Sequence, residues 1–190
     1  MIIGIYGGSF DPIHTGHAMV ANFIAQCNIV DEVWIMVSRQ NPLKINSVYA
    51  DDFHRLEMAR IVAKNCKNVK VSDLEMSLPA PSYTYDTLLE LKKRYPEHEF
   101  KIILGGDSLV NFHKWKNADK IQMEFGVIVY PRPGYPLDGP EPVNMKFLTG
   151  APEFSMSSTL IREYISSGWN INYFTPIDVS KYINANHLYR

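Results

Sequence analysis

The feature that most restricts the fold of this chain is an alternation. Short, almost continuously apolar runs are separated by stretches with helical periodicity. Residues 1–6 form an apolar run closed by Gly7-Gly8, the pattern of a buried strand. Residues 16–27 place Ala18, Val20, Ala21, Phe23, Ile24 and Cys27 at helical spacing. Strands are then predicted over 33–37, 69–71, 100–104 and 126–130, and helices over 51–64, 84–95, 158–167 and 176–186. Pro96 ends one helix and Gly168 another, while Gly105-Gly106, Pro131 and Pro133 stop strands. Strands separated by helices need crossover connections, and so a parallel sheet. Strands without a polar face need cover on both sides. The expectation is an α/β fold: a doubly wound parallel sheet with helices on both faces and a small C-terminal helical part. Residues 38–50, 74–83 and 131–142 read as long irregular loops, which often carry function.

Composition narrows the function. The 190 residues are 46% hydrophobic and 21% charged, which excludes a disordered chain. Nineteen basic against twenty acidic residues leave a net charge of −1, so no nucleic acid or anionic membrane is expected as a partner. Cys27 and Cys66 read as reduced thiols and cannot form a paired-cysteine metal site. The opening apolar run lacks a basic leader and is too short for a signal peptide. No apolar run reaches the ~20 residues of a membrane helix. A soluble, cytoplasmic protein is expected.

Two segments carry chemistry. Gly7-Gly8-Ser9-Phe10-Asp11-Pro12-Ile13-His14-Thr15-Gly16-His17 follows the first strand, where doubly wound sheets bind ligands. The glycines let backbone approach a ligand, and the free amides of the helix opening near Thr15 suit a phosphate. His14 and His17, three apart, share one face of its first turn. The macrodipole disfavours imidazolium there, so both rings are predicted neutral in the empty site. As donors they suit charge developing on phosphate oxygens. A structural histidine pair, or a metal pair lacking an evident third ligand, is the alternative. The dinucleotide fingerprint, the phosphate-loop motif and the nucleophile elbow are all absent.

The second segment is Ser157-Ser158-Thr159-Leu160-Ile161-Arg162, opening a helix. Hydroxyls here are natural caps. With Thr159 as the cap, Arg162 would take the slot where a capping box carries Glu or Gln. A helix start bearing hydroxyls and a guanidinium in place of carboxylates suits an external polyphosphate. Its alternative is a capped surface helix with a solvated Arg162. Two such helix starts suggest a nucleoside triphosphate and a second phosphate-bearing reactant.

The first segment resembles the G-x-F-x-P-x-H-x-G-H signature of the nucleotidylyltransferase superfamily, and the second its S-x-T-x-x-R signature. Between them, Ala80-Pro81-Ser82-Tyr83-Thr84, Gly105-Gly106-Asp107-Ser108-Leu109, Trp115 and Arg132-Pro133-Gly134-Tyr135-Pro136 are similar to the bacterial nicotinate-mononucleotide adenylyltransferases. So is the ending from Tyr182-Ile183 through Leu188-Tyr189-Arg190. The resemblance implies one Rossmann-like nucleotidylyltransferase domain over residues 1–190. It also implies transfer of AMP from ATP to nicotinate mononucleotide, giving deamido-NAD and pyrophosphate in NAD biosynthesis, with Mg²⁺ as cofactor.

Carried over by residue, the resemblance makes His14, His17, Arg162 and Lys44 catalytic. ATP would be held by Gly7, Gly8, Ser9, Phe10, His14, His17, Gly105, Asp107, Ser157, Ser158 and Arg162. Ser9, Lys44, Tyr83, Thr84, Trp115 and Arg132 would hold nicotinate mononucleotide, with Trp115 stacking on the ring and Arg132 close to its carboxylate. Asp107 would be a weak metal contact, Mg²⁺ being carried mostly by phosphates. Asn41-Pro42-Leu43-Lys44 departs from the Pro-Pro-His-Lys of many members. The implied mechanism is in-line attack of the acceptor's phosphate on the α-phosphorus. A different acceptor such as pantetheine phosphate, or a non-catalytic nucleotide-binding protein, is the remaining alternative. The sequence does not set the oligomeric state, and a homo-oligomer is compatible with it.

Overall fold

The computed structural model describes residues 1–39, 50–79 and 81–190. Among them are strands β1 (Ile2–Gly8), β2 (Glu32–Val37), β3 (Val69–Ser72), β4 (Glu99–Gly105), β5 (Val127–Tyr130) and β6 (Met145–Phe147). They form one sheet in the order β3-β2-β1-β4-β5-β6, and every neighbouring pair is parallel. The helices are α1 (Thr15–Ile24), α2 (Asp52–Lys64), α3 (Thr84–Arg94), α4 (Gly106–Leu109), α5 (Ala118–Glu124), α6 (Ser158–Ser166) and α7 (Ile177–Ala185). This is the doubly wound, Rossmann-like α/β fold expected, with α6 and α7 as its C-terminal helical part.

The strands show why both faces are covered. Successive side chains point to opposite sides. Ile3 and Ile5 of β1, Ile102 and Leu104 of β4, and Val127 and Val129 of β5 enter one buried cluster, together with Leu88 and Leu91 of α3 and Ile121 of α5. Tyr6, Ile103, Ile128 and Tyr130 enter the other, with Val20 and Ile24 of α1, Met58 and Val62 of α2, Ile161 of α6 and Val179 of α7. Gly4 lies close between them: a Cβ there would stand 2.8 Å from the end of the Ile103 side chain, which would have to shift.

Three elements are absent from the sequence reading: the short α4, α5 and β6. Residues 74–83 also hold a 3₁₀ turn, Leu74–Ser77, within a stretch read as irregular. Strand order reverses between β1 and β4, where β1 ends in Gly7-Gly8 and β4 runs into Gly105-Gly106. Open α/β sheets bind ligands at this crevice.

Candidate active site

His14 is the N-cap of α1 and His17 its third residue, and they form a reciprocal capping box. Each backbone N–H donates to the other residue's Nδ1 at 3.3 Å, and the two rings stack with centroids 3.6 Å apart. With Nδ1 accepting in both rings, the neutral tautomer carries its proton on Nε2. Burial, and then the Arg132 charge, lower the pKa of His14 to about 3. Burial, His14 and Arg132 hold His17 well below its ordinary value. Both rings are thus neutral, as expected, but burial is the leading cause. Tyr6 and Phe10 present ring edges to His17, at 6.2 and 5.0 Å between centroids.

The amides of α1 are less available than expected. Thr15 N–H donates to Phe174 O at 3.0 Å, and His17 N–H is taken by the capping box. What this helix start offers an anion is mainly its dipole and two Nε2–H donors.

The glycines divide the work. A Cβ on Gly7 would meet nothing within 4 Å among the described residues. A Cβ on Gly8 would press on the Phe10 ring at 3.1 Å. Phe10 itself has φ 47°, in the left-handed region, and is 2% exposed. Ser9 O accepts from Arg55 Nη1 at 2.8 Å.

At α6 one of the hydroxyls makes the cap. Ser157, not Thr159, is the N-cap, its Oγ accepting from Leu160 N–H at 3.2 Å. Arg162 therefore lies beyond the capping-box slot, in the second turn. Its Nη1 donates to Asp11 O at 2.6 Å and its Nη2 to Thr159 Oγ1 at 3.2 Å. Ser158 Oγ donates to Pro12 O at 2.9 Å. These contacts seat the start of α6 on the loop that feeds α1, although the two lie some 150 residues apart in sequence. The loop that leads into the His14–His17 cap and the start of α6 are thus in direct contact.

The 131–142 loop closes another side. Arg132 Nε lies 3.7 Å from Asp107 Oδ1, the carboxylate in the first turn of α4. A Cβ on Gly105 would collide with that Asp107 oxygen, and one on Gly106 would stand 2.8 Å from Tyr135 O. The two glycines let the loop lie on the end of β4. A cavity of about 480 Å³ is lined by Asp107, Arg132, Tyr135, Ser157 and Thr159, among others. That volume is within the range of small-molecule sites, about 300–1,000 Å³.

The remaining predicted residues form a separate group. Tyr83 caps α3, Thr84 is its first residue, and Tyr83 is 38% exposed. Lys116 Nζ stands 4.4 Å above the Tyr83 ring and 2.9 Å from Asp86, joining the start of α3 to the segment that carries Trp115. Trp115 is partly buried against Phe112, at 5.6 Å between centroids. Lys44 lies outside the described residues.

Buried polar residues that the sequence reading passed over hold these parts together. Arg55, with 0% exposure, donates to Ala50 O, Ser9 O, Ser38 O and Arg39 O and pairs with Asp52. It thereby pins the ends of β1 and β2. Glu75 accepts from Ser82 Oγ at 3.0 Å and Thr87 Oγ1 at 3.1 Å, and burial raises its pKa. Asp11, fully buried, accepts from Ala50 N–H at 3.0 Å and Tyr189 Oη–H at 2.7 Å.

A family model described as Cytidylyltransferase-like matches residues 5–164. A Flavobacterium johnsoniae protein named "Probable nicotinate-nucleotide adenylyltransferase" is 41% identical over 195 residues, covering 100% of both chains. The Bacillus subtilis nicotinate-nucleotide adenylyltransferase is 38% identical over 187 residues, covering 98% of this chain and 97% of its own. The chain belongs to the nicotinate-nucleotide adenylyltransferase family. Its fold agrees with that of a solved member: the Plasmodium falciparum nicotinic acid mononucleotide adenylyltransferase complexed with NaAD has a TM-score of 0.79. That match covers 99% of this chain and 97% of the other, at 24% identity. In this member of the adenylyltransferase family, no described helix is long and apolar enough to cross a membrane.

Proposed function

We propose that this protein transfers AMP from ATP to nicotinate mononucleotide, giving deamido-NAD and pyrophosphate. One observation carries the reading: the helix start with the His14–His17 pair and the helix start with Arg162 meet on one loop, Asp11–Pro12. Family membership names the acceptor.

A phosphate monoester is an anionic nucleophile near neutral pH, so the protein needs to place it rather than activate it. An oxygen of the mononucleotide's phosphate attacks the α-phosphorus in line, and the bond from that phosphorus to the bridging oxygen of the β-phosphate breaks. Pyrophosphate carries the electron pair away, and no bond to the enzyme forms. Catalysis is then positioning and charge stabilisation.

In this reading Gly7, Gly8, Ser9 and Phe10 shape the floor of the ATP site, and Gly105 and Asp107 border it. The Nε2–H groups of His14 and His17 donate to phosphate oxygens without having to be charged first. Ser157, Ser158 and Arg162 hold the leaving diphosphate. Arg162 has donors beyond the two it spends on Asp11 and Thr159. Tyr83, Thr84 and Trp115 receive the nicotinate ring, Lys44 contacts phosphate, and Arg132 adds positive charge where the two substrates meet.

The donor set fits Mg²⁺ carried in on ATP rather than a protein cage. Asp107 and Glu163 are the two carboxylates that line the cavity, and the described residues hold no group of three metal-binding side chains. Mg²⁺ commonly uses one or two carboxylates plus substrate phosphates. Asp107 would hold it, and when bound the ion neutralises charge on the phosphates. The cytoplasm is the compartment proposed for this activity.

The test is incubation with ATP, Mg²⁺ and either nicotinate mononucleotide, nicotinamide mononucleotide or pantetheine phosphate, with products separated by chromatography. Deamido-NAD should form fastest. Turnover with pantetheine phosphate alone, or none at all, would reject the reading.

A further inference from the structure

Arg162 is held at the site by Asp11, and Asp11 is held in turn by a residue far from both in sequence. Tyr189 follows α7, packs its ring against the core cluster below α1 and α2, and donates its hydroxyl to Asp11 Oδ1 at 2.7 Å. That oxygen also accepts from Ala50 N–H at 3.0 Å. The second carboxylate oxygen, Oδ2, is buried with no hydrogen bond among the described residues and lies 3.7 Å from Arg162 Nη1. The same Nη1 donates to the Asp11 carbonyl at 2.6 Å. One buried carboxylate thus has one oxygen fully engaged and the other turned toward the guanidinium.

A buried carboxylate with an unfilled acceptor is costly, and two arrangements could relieve it. Rotation would carry Oδ1 and Oδ2 away from these positions, or the guanidinium could move in to bond Oδ2. The Tyr189 hydroxyl opposes the first by fixing Oδ1. The second would draw Arg162 deeper, away from the cavity side where Ser157 and Thr159 lie. Burial, and then the Asp11 charge, raise the Tyr189 phenol, so it remains a protonated donor.

We infer that Tyr189 is a positioning residue for adenylyl transfer: its hydroxyl orients Asp11, and through Asp11 sets where Arg162 meets the diphosphate leaving group. The inference rests on the function proposed above. It adds a link between the segment after α7 and the chemistry at α6, carried by three side chains in contact.

The experiment is a double-mutant cycle on Tyr189→Phe and Arg162→Ala, measured in the full chain with ATP, nicotinate mononucleotide and Mg²⁺. Phenylalanine keeps the ring and its packing, and thermal unfolding monitors the fold. Tyr189→Phe should lower kcat about tenfold, the scale of one hydrogen bond to a charged group, with KM for the mononucleotide unchanged. In the Arg162→Ala background the same change should cost nothing further, because the link ends at Arg162. Binding of pyrophosphate alone, by calorimetry, should weaken by a similar factor in Tyr189→Phe. Parental kcat in Tyr189→Phe, or the same fractional loss in both backgrounds, would overturn the inference. So would failure of Tyr189→Phe to fold, which would make the hydroxyl purely structural. If the parent makes no deamido-NAD, the proposed function fails, and pyrophosphate affinity alone then decides the inference.

Discussion

The imidazoles of His14 and His17 lie face to face, 3.6 Å between centroids, each Nδ1 accepting the other's backbone N–H. A cap built this way requires both Nδ1 atoms to be unprotonated. Adding a proton there removes a helix cap and places charge at the positive end of the dipole.

This gives a pH prediction with a definite sign. The pKa of His14 is about 3 in the folded protein against an ordinary value of 6.5, and that of His17 is lowered too. The unfolded chain therefore binds more protons below pH 6.5, and stability falls as pH drops from there toward 3. Thermal unfolding of the ligand-free protein should show a melting temperature level above pH 7 and declining below about 6.5. His14→Gln should flatten part of that slope. A melting temperature that rises on acidification from 6.5 to 4.5 would mean the pair is charged in the folded state.

Removing a donor aimed at developing charge typically costs on the order of 10²–10³ in rate. His17→Ala and Arg162→Ala should each lose turnover on that scale with circular dichroism unchanged. Near-normal turnover in either variant removes that residue from the chemistry.

Trp115 should act on binding rather than on the chemical step. Trp115→Ala is expected to raise KM for nicotinate mononucleotide and leave KM for ATP close to the parent. A rise confined to ATP would reverse the assignment of the two halves of the site.

Gly105 is a backbone test. Its φ of −80° suits any residue, but a Cβ would collide with Asp107 Oδ1 and stand 3.1 Å from Tyr130 and Arg132. Gly105→Ala should cost about 1–3 kcal/mol by overpacking and displace Asp107, lowering activity more than stability alone explains. Unchanged stability in urea would show that the loop yields freely.

The parallel, doubly wound sheet was legible because β1, β2, β4 and β5 each carry a nearly continuous apolar run that is mostly buried, a pattern that survives without knowledge of the neighbours. β6 was not: its three residues include the exposed Lys146, and nothing local marks a strand. The short α4 and α5 lie where glycines, charges and aromatics mix without a clear period. At the site, the paired histidines and the hydroxyl-rich start of α6 announced themselves by type and spacing. Asp11, Arg55, Glu75 and Tyr189 did not, because a charged or hydroxylated side chain reads as solvated until the fold shows what buries it. Asp11 lay inside the first motif and Tyr189 inside the C-terminal run, and those positions were the signal available for them.

The stereochemical course at the α-phosphorus tests the central claim most directly. With ATP bearing a chiral thiophosphate at the α-position and nicotinate mononucleotide as acceptor, a single direct displacement between the two substrates predicts inversion in the thio-substituted deamido-NAD. Retention would require a second displacement through an adenylylated enzyme, and would contradict the account.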